Sequence, residues 1–245
     1  MKVRTKVDSE DIPVLGHRGF RGSLENTMPA FRRALRYADG IEFDVRTTKD
    51  GKLVAHHDRT FKSEEGAFRV NEVSLPMLRK LHPLGSLVPE VSEVLSLDAA
   101  LLNADVKERE VVEPLVNIIE RRKAIERTIF SADEPETVTA LLRECPDCRV
   151  GLSIVDYRSM AWLFKTGGLY SVHVPIDVVS YIGYRPFITL LRALKRRKLR
   201  VYLWNYRMDE LLWVPRLIHL VDAVISDDPA RLRKVFRCSS KVPLW

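Results

Sequence analysis

The sequence predicts an eight-stranded parallel α/β barrel. Short β-branched or apolar runs alternate with longer helical patterns along the chain, the signature of repeated strand–helix units. Eight such pairs can be counted, the number that closes a parallel barrel, and chemistry-bearing residues gather at the ends of the strand candidates, where such barrels hold their sites. No long Pro/Gly/Ser linker or low-complexity tract interrupts the pattern, so residues 1–245 are expected to form one domain.

Taken in order, the first strand is expected over 12–16 and its helix over 28–37, with Pro29 in a first turn that tolerates a missing N–H. The second strand is expected over 40–45. Beyond it, Asp50-Gly51 lies between two extended runs, a strong hairpin signal. Leu53-Val54-Ala55 should therefore fold back and return His56-His57-Asp58 toward the tip of the second strand. This small hairpin insertion is the expected departure from a plain repeat. A helix over 92–98 leads to the third strand, 101–106, and its helix, 111–123. The fourth strand, 128–131, precedes a helix over 134–145 that opens at Asp133 or Glu134, with Glu136 placing an acid at the positive end of the dipole. The fifth pair is 150–154 with 156–164, stopped by Gly167-Gly168. Strands over 171–174, 200–204 and 223–226 lead to helices over 185–198, 209–217 and 229–237, the last opened by Pro229.

Apolar residues make up 46% of the chain, enough for a substantial core. No segment approaches the roughly 20 consecutive apolar residues that span a bilayer. Met1-Lys2-Val3-Arg4 leads into charged residues rather than an apolar run, so no secretory signal is read and a cytoplasmic protein is expected. Three cysteines, an odd number, argue against a disulfide framework. Cys145 and Cys148 are read as flanking a turn marked by Pro146-Asp147, not as a redox or zinc motif. The net charge of +7 suits an anionic ligand. Nucleic acid is not an expected partner, because no nucleic-acid motif accompanies the basic runs. Arg121-Arg122-Lys123 and Lys195-Arg196-Arg197-Lys198 instead fall at the C-terminal ends of expected helices, where cations complement the dipole.

Glu42 and Asp44 are two residues apart, so on a strand both side chains leave the same face. Two carboxylates forced together repel, unless one is protonated or a cation sits between them. Asp105 and Lys107 repeat the spacing on the next strand. Three oxygen ligands with room for water suit Mg²⁺ or Ca²⁺ better than zinc, with Mn²⁺ a further candidate. A surface-facing Glu-x-Asp pair is the bland alternative, disfavoured by the apolar flanks Ile41, Phe43 and Val45 and by His17 nearby. Gly16 and Gly19 flank His17 and let backbone come close to a ligand. A lone histidine of this kind is more often structural, but the return of His57 by the hairpin changes the weighting. Two imidazoles at a bound phosphate supply one base and one acid near neutral pH. His56 is the adjacent alternative, and alternation along a strand lets only one of the two face the site easily.

The run His17-Arg18-Gly19, then Glu25-Asn26-Thr27, Glu42-x-Asp44 and His57-Asp58, resembles the signature of the glycerophosphodiester phosphodiesterase family in order and spacing. The segment from Val88 to Leu95 is similar to that family's approach to the third strand, and Asn103-Ala104-Asp105-Val106-Lys107 to its Asn-x-Glu-x-Lys. Trp204-Asn205 and the run from Val221 to Pro229 resemble its Trp-containing strand and its Asp-x-Pro close. The resemblance covers nearly the whole chain and is densest in the first hundred residues. It implies a TIM barrel in which the counterparts of Glu42, Asp44 and Asp105 bind a divalent metal and those of His17 and His57 form the acid–base pair. Those of Arg18 and Lys107 would contact phosphate, with Trp204 at the substrate. Two departures stand out. The third ligand is usually Glu, whereas Asp105 is one methylene shorter, so a metal would sit differently or keep an extra water. The family's Trp-Thr-Val-Asn is here Leu203-Trp204-Asn205-Tyr206, which leaves the orientation of Trp204 open.

The expected activity is metal-dependent hydrolysis of glycerophosphodiesters to an alcohol and glycerol phosphate, with a small-molecule phosphodiester as partner. His17 as base and His57 as acid is the preferred assignment, with the exchange of roles open. So is the nucleophile, either water or the glycerol 2-hydroxyl through a cyclic phosphate. Two alternatives accompany this reading. One is a lysophospholipase D, whose acyl groove would draw on Phe20, Phe61, Phe68, Trp162, Tyr181, Tyr184, Trp204 and Trp213. The other is a catalytically weak phosphodiester-binding barrel, motivated by Asp105. Oligomeric state and the place of the apolar tail from Ser239 to Trp245 stay open.

Overall fold

A computed structural model describes residues 12–239, with side chains to 237. The N-terminal Met1-Lys2-Val3-Arg4 and the tail beyond 239, with the expectations attached to them, lie outside the described residues. The chain runs β1 (Val14–Gly16), α1 (Met28–Ala34), β2 (Gly40–Thr47), β3 (Leu53–Ala55), β4 (Thr60–Ser63), β5 (Gly66–Arg69), α2 (Leu75–Leu81), α3 (Val91–Val94), β6 (Leu101–Val106) and α4 (Val112–Arg121). It continues through β7 (Thr128–Ala132), α5 (Pro135–Glu144), β8 (Arg149–Ser153), α6 (Tyr157–Leu163), β9 (Ser171–Pro175), α7 (Val178–Ile182) and α8 (Tyr184–Arg196). The close is β10 (Arg200–Trp204), α9 (Glu210–Leu217), β11 (Ala223–Ser226) and α10 (Pro229–Ser239).

Eight of these strands, β1, β2 and β6 to β11, pair in parallel and close when β11 meets β1. Alternation along each strand then separates two environments. Ile41, Phe43 and Val45 of β2, with Leu102, Ala104 and Val106 of β6, point outward into the layer between strands and helices. Leu15, Ile129, Tyr202, Ala223 and Ile225 fill the inside of the barrel. The intervening polar residues share that inside. Register sets Asp44 beside Asp105, Asp105 beside Ser131, and His173 between Ser153 and Tyr202. At Gly151 this interior has no room for a side chain, since a Cβ there would lie 2.4 Å from Ser171 Oγ and 2.9 Å from His173 Nε2.

The structure departs from expectation in three places. The helix expected over 92–98 is a single turn, because Arg127 draws the carbonyls of Leu95, Leu97 and Ala99 to its guanidinium and the ladder cannot continue. The insertion after β2 is larger than a hairpin. β3 folds back antiparallel on β2 as expected, and Gly51 takes φ +75° in the turn. The chain then adds the β4–β5 hairpin and α2, which cluster around Val54, Phe61, Leu78 and Val88. Finally, Cys145 and Cys148 do flank a turn, closed by Cys148 N–H donating to the Cys145 carbonyl, but their sulfurs are joined as a disulfide. Among the described residues no helix is long and apolar enough to cross a membrane.

Candidate active site

The tips of the parallel strands converge on one cavity, lined among others by His17, Arg18, Glu42, Asp44, His57, Asp105, Lys107 and Trp204. Those are all the residues that the sequence nominates. Beyond β1 the chain makes a tight turn, with Arg18 at φ +49° and Gly19 at φ +82°. That turn aims the Arg18 backbone N–H at Glu42 Oε2, 2.9 Å away. It also brings the guanidinium to Asp44, with Nε 3.1 Å from Oδ2 but not aligned for a hydrogen bond, and to Glu25 at 2.7 Å. Asn26, also left-handed at φ +56°, donates from Nδ2 to Asp44 Oδ2 at 2.7 Å, and its Oδ1 accepts from the Asp44 N–H.

Glu42, Asp44 and Asp105 are buried, and one oxygen of each lies within 4.8 Å of the others. Burial and the Asp44 charge push Glu42 up to about 8. Burial would raise Asp44 too, but Lys107, Arg18 and His57 hold it well below the usual carboxylate range. Lys107 reaches across β2 and β6, with Nζ 3.0 Å from Asp44 Oδ1 and 2.5 Å from Asp105 Oδ2. The shorter side chain of Asp105 does not leave the cluster. Ser131 Oγ donates to Asp105 Oδ1 at 2.6 Å and itself accepts from Asn103 Nδ2 at 2.8 Å. Three crowded, buried carboxylates fit a hard divalent cation.

Both imidazoles are held at Nδ1, leaving Nε2 of each for chemistry. His17 Nδ1 lies 2.6 Å from Asp227 Oδ1, and the other Asp227 oxygen accepts from Arg21 and Asn205. Burial lowers the His17 pKa, yet the Asp227 hydrogen bond and the Glu42 charge outweigh it and leave the group above its ordinary value. His57 Nδ1 lies 2.7 Å from Asp58 Oδ1, and Arg46 Nε donates to the His57 carbonyl at 2.8 Å. His56 turns the other way, toward His82 and Phe61 in the insertion. Trp204 presents its ring edge-on to His17, centroids 6.2 Å apart, and packs on Tyr206.

The model of the glycerophosphoryl diester phosphodiesterase family matches residues 17–231, a span that begins at His17 and holds every side chain just described. The chain belongs to that family. A family relative, a glycerophosphodiester phosphodiesterase of Caldanaerobacter subterraneus, is 28% identical over 249 aligned residues that cover 91% of this chain and 97% of the relative. A probable glycerophosphodiester phosphodiesterase of Mycobacterium tuberculosis is 30% identical, covering 90% of this chain and 89% of its own. Among crystal structures, that of a glycerophosphodiester phosphodiesterase from Thermotoga maritima superposes with a TM-score of 0.77 at 25% identity, covering 91% of this chain and 98% of that one.

Within this family frame, sequence reasoning did not assign Asp227, Arg21, Asn26, Ser131 and His173 to the site. Asp227, Ser131 and His173 do stand at strand tips, the available signal, and Asn26 sits in the Glu-Asn-Thr run of the resemblance. Their partners are set by barrel closure, which pairs residues as far apart as His17 and Asp227.

Proposed function

We propose that the chain hydrolyses glycerophosphodiesters, releasing glycerol phosphate and the esterified alcohol. The observation that carries this reading is one cavity lined by two carboxylate-held imidazoles, three clustered carboxylates and the cations Arg18 and Lys107. The names of relatives aligned over about nine-tenths of the chain support the same substrate class. Glu42, Asp44 and Asp105 would hold Mg²⁺ or Ca²⁺, which when bound supplies Lewis-acid polarisation of a phosphoryl oxygen. Arg18 and Lys107 neutralise the phosphodiester. His17, whose Nε2 is the free ring nitrogen, takes the proton of the attacking hydroxyl. His57 returns a proton to the departing alkoxide, a poor leaving group without it. The Ser131 hydroxyl and Lys107 keep the Asp105 carboxylate in the cluster, which argues against an inert phosphodiester-binding barrel.

The test is an assay on glycerophosphodiesters with different alcohols, in chelator and then with Mg²⁺, Ca²⁺ or Mn²⁺ restored. Turnover should vanish in chelator and return with metal. His17→Ala and His57→Ala should each lose on the order of 10²-fold or more in kcat. Near-normal turnover in both variants would remove the two-histidine mechanism.

A further inference from the structure

Asp227, which holds the His17 ring, stands in the short turn between β11 and α10. Its side chain is fixed from several sides, with His17 Nδ1 on one oxygen and Arg21 and Asn205 donating to the other. Those contacts aim the carboxylate only while the backbone of the turn stays still. The backbone is held from a different strand–helix unit. Glu210 opens α9, immediately after the N-cap Asp209, and its side chain crosses to the tip of β11. Oε1 accepts from the Ser226 hydroxyl at 2.6 Å and from the Asp228 N–H at 3.1 Å. Oε2 accepts from the Asp227 N–H at 3.0 Å. One carboxylate thus takes a donor from each of three consecutive residues, and the middle one is Asp227.

Packing and helix capping do not account for a carboxyl group at this place. Glu210 is 6% exposed, and burial raises its pKa against the pull of the three donors. Burying a carboxyl costs free energy that an apolar side chain of similar size would not incur. The two helices beside it have caps of their own. Asp209 accepts from the Leu211 N–H in α9, and Asp228 accepts from the Arg231 N–H in α10. What Glu210 supplies is an acceptor for each of two N–H groups in the turn beyond β11. That turn in turn carries the residues of the first strand. The Ser226 carbonyl accepts from the His17 N–H at 2.8 Å, and the Asp227 carbonyl from the Arg21 N–H at 3.3 Å.

We propose that Glu210 is a positioning residue for His17. It locks the Ser226–Asp228 turn so that Asp227 meets Nδ1 of the ring and Nε2 is left facing the cavity. The inference rests on the phosphodiesterase reading above and adds a residue that acts on the same site from behind. Glu210 is not among the residues that line the cavity, so its effect reaches the chemistry through Asp227. The cations for the phosphodiester are held elsewhere, Arg18 by Asp44 and Lys107 by Asp44 and Asp105. Loss of Glu210 should therefore disturb proton transfer while leaving substrate binding in place. Glu210→Gln isolates this role. The amide has the size of the carboxyl but only one acceptor oxygen, so its NH2 group faces one of the two backbone N–H donors.

The test pairs kinetics of the full chain on glycerophosphocholine, with Mg²⁺ or Ca²⁺, with NMR of the histidine ring protons in metal-free protein. Assays are run where circular dichroism shows each variant folded. Glu210→Gln should lower kcat by roughly 10- to 100-fold with KM near the wild-type value. The His17 Nδ1–H resonance, identified by its loss in His17→Ala, should shift or broaden while that of His57 stays in place. Glu210→Met removes the acceptors without setting an amide against the N–H groups, and it should show the same pattern if Glu210→Gln does not fold. Ser226→Ala takes away one donor, leaves both N–H contacts and should keep most of its kcat. A folded Glu210 variant with wild-type kcat and an undisturbed His17 resonance would overturn the positioning role. So would equal disturbance of both histidines, or an equal loss in Ser226→Ala. A wild-type chain that turns over no glycerophosphodiester would overturn the phosphodiesterase reading and this one together.

Discussion

His17 is buried and yet held above its ordinary pKa, because Asp227 at 2.6 Å and the Glu42 charge outweigh the cost of removing an imidazolium from water. Asp227 does more than supply charge. As an acceptor it fixes the proton on Nδ1 and leaves the Nε2 lone pair facing the cavity, whereas an amide could present N–H to the ring and reverse the tautomer. Asp227→Asn should therefore lower kcat by on the order of 10²-fold or more and move the His17 limb of the kcat/KM profile to lower pH. An unmoved limb would mean that Asp227 does not set the state of His17. Lys107 makes a second case at the same scale. Its ammonium lies between Asp44 and Asp105, two of the carboxylates that would hold a cation. Lys107→Met leaves those charges less compensated, and metal-free protein should lose roughly 3 kcal/mol of stability. Mg²⁺ or Ca²⁺ should then raise the thermal midpoint of the variant more than that of the wild type, and equal rises would sink the idea.

At the scale of elements, the turn after β1 is built around a glycine that cannot be replaced cheaply. Gly19 has φ +82°, and a Cβ there would lie 2.7 Å from the Ala30 carbonyl carbon and 2.8 Å from Phe31 N, within the backbone of α1. Gly51 in the β2–β3 turn has φ +75° but open space around it. Gly51→Ala should thus cost about 1 kcal/mol from backbone strain alone. Gly19→Ala adds overlap with a helix and should cost about 2 kcal/mol or more, with loss of activity as Arg18 moves. Urea denaturation of both variants checks the order. Much of this element level was legible in the sequence, since apolar and polar residue types alternate along β2 and β6. The Asp50-Gly51 turn likewise announces the return of His57. The β4–β5 hairpin is silent because it is mostly exposed and lacks apolar alternation. α2 carries a readable pattern in Leu75, Leu78 and Leu81, masked by its short length. His57 was already the candidate on the resemblance carried by His57-Asp58, whereas the turning of His56 toward His82 in the insertion follows from no local pattern. The site was legible as a set of strand tips, while the Asp227–His17 contact depends on β11 closing against β1.

For the whole molecule, buried titratable groups divide into two sets with opposite effects on stability. Burial holds His173 and His82 down to about 4 and lowers His56 as well, whereas the unfolded side chains titrate near about 6.5. As pH falls below that value the unfolded chain takes up protons that the folded chain refuses, so stability is lost toward pH 4. Glu42 and His17 act in the other direction. Both have raised folded values, Glu42 up to about 8 mainly through burial. The folded chain therefore keeps their protons where the unfolded chain has released them, and stability drains away as pH rises through the folded values. In chelator these sets give a thermal midpoint that peaks near pH 6.5 (about the unperturbed histidine value) and declines on both sides. A divalent cation at Glu42, Asp44 and Asp105 would take the place of the Glu42 proton, and the alkaline decline, on the order of 2 kcal/mol, should flatten. The acid decline should persist, because His173, His82 and His56 are no part of the carboxylate cluster. Thermal denaturation from acid to mildly alkaline pH, with chelator and with Mg²⁺ or Ca²⁺, separates the two limbs. An alkaline limb that metal leaves unchanged would show that the three carboxylates do not act as a cation site.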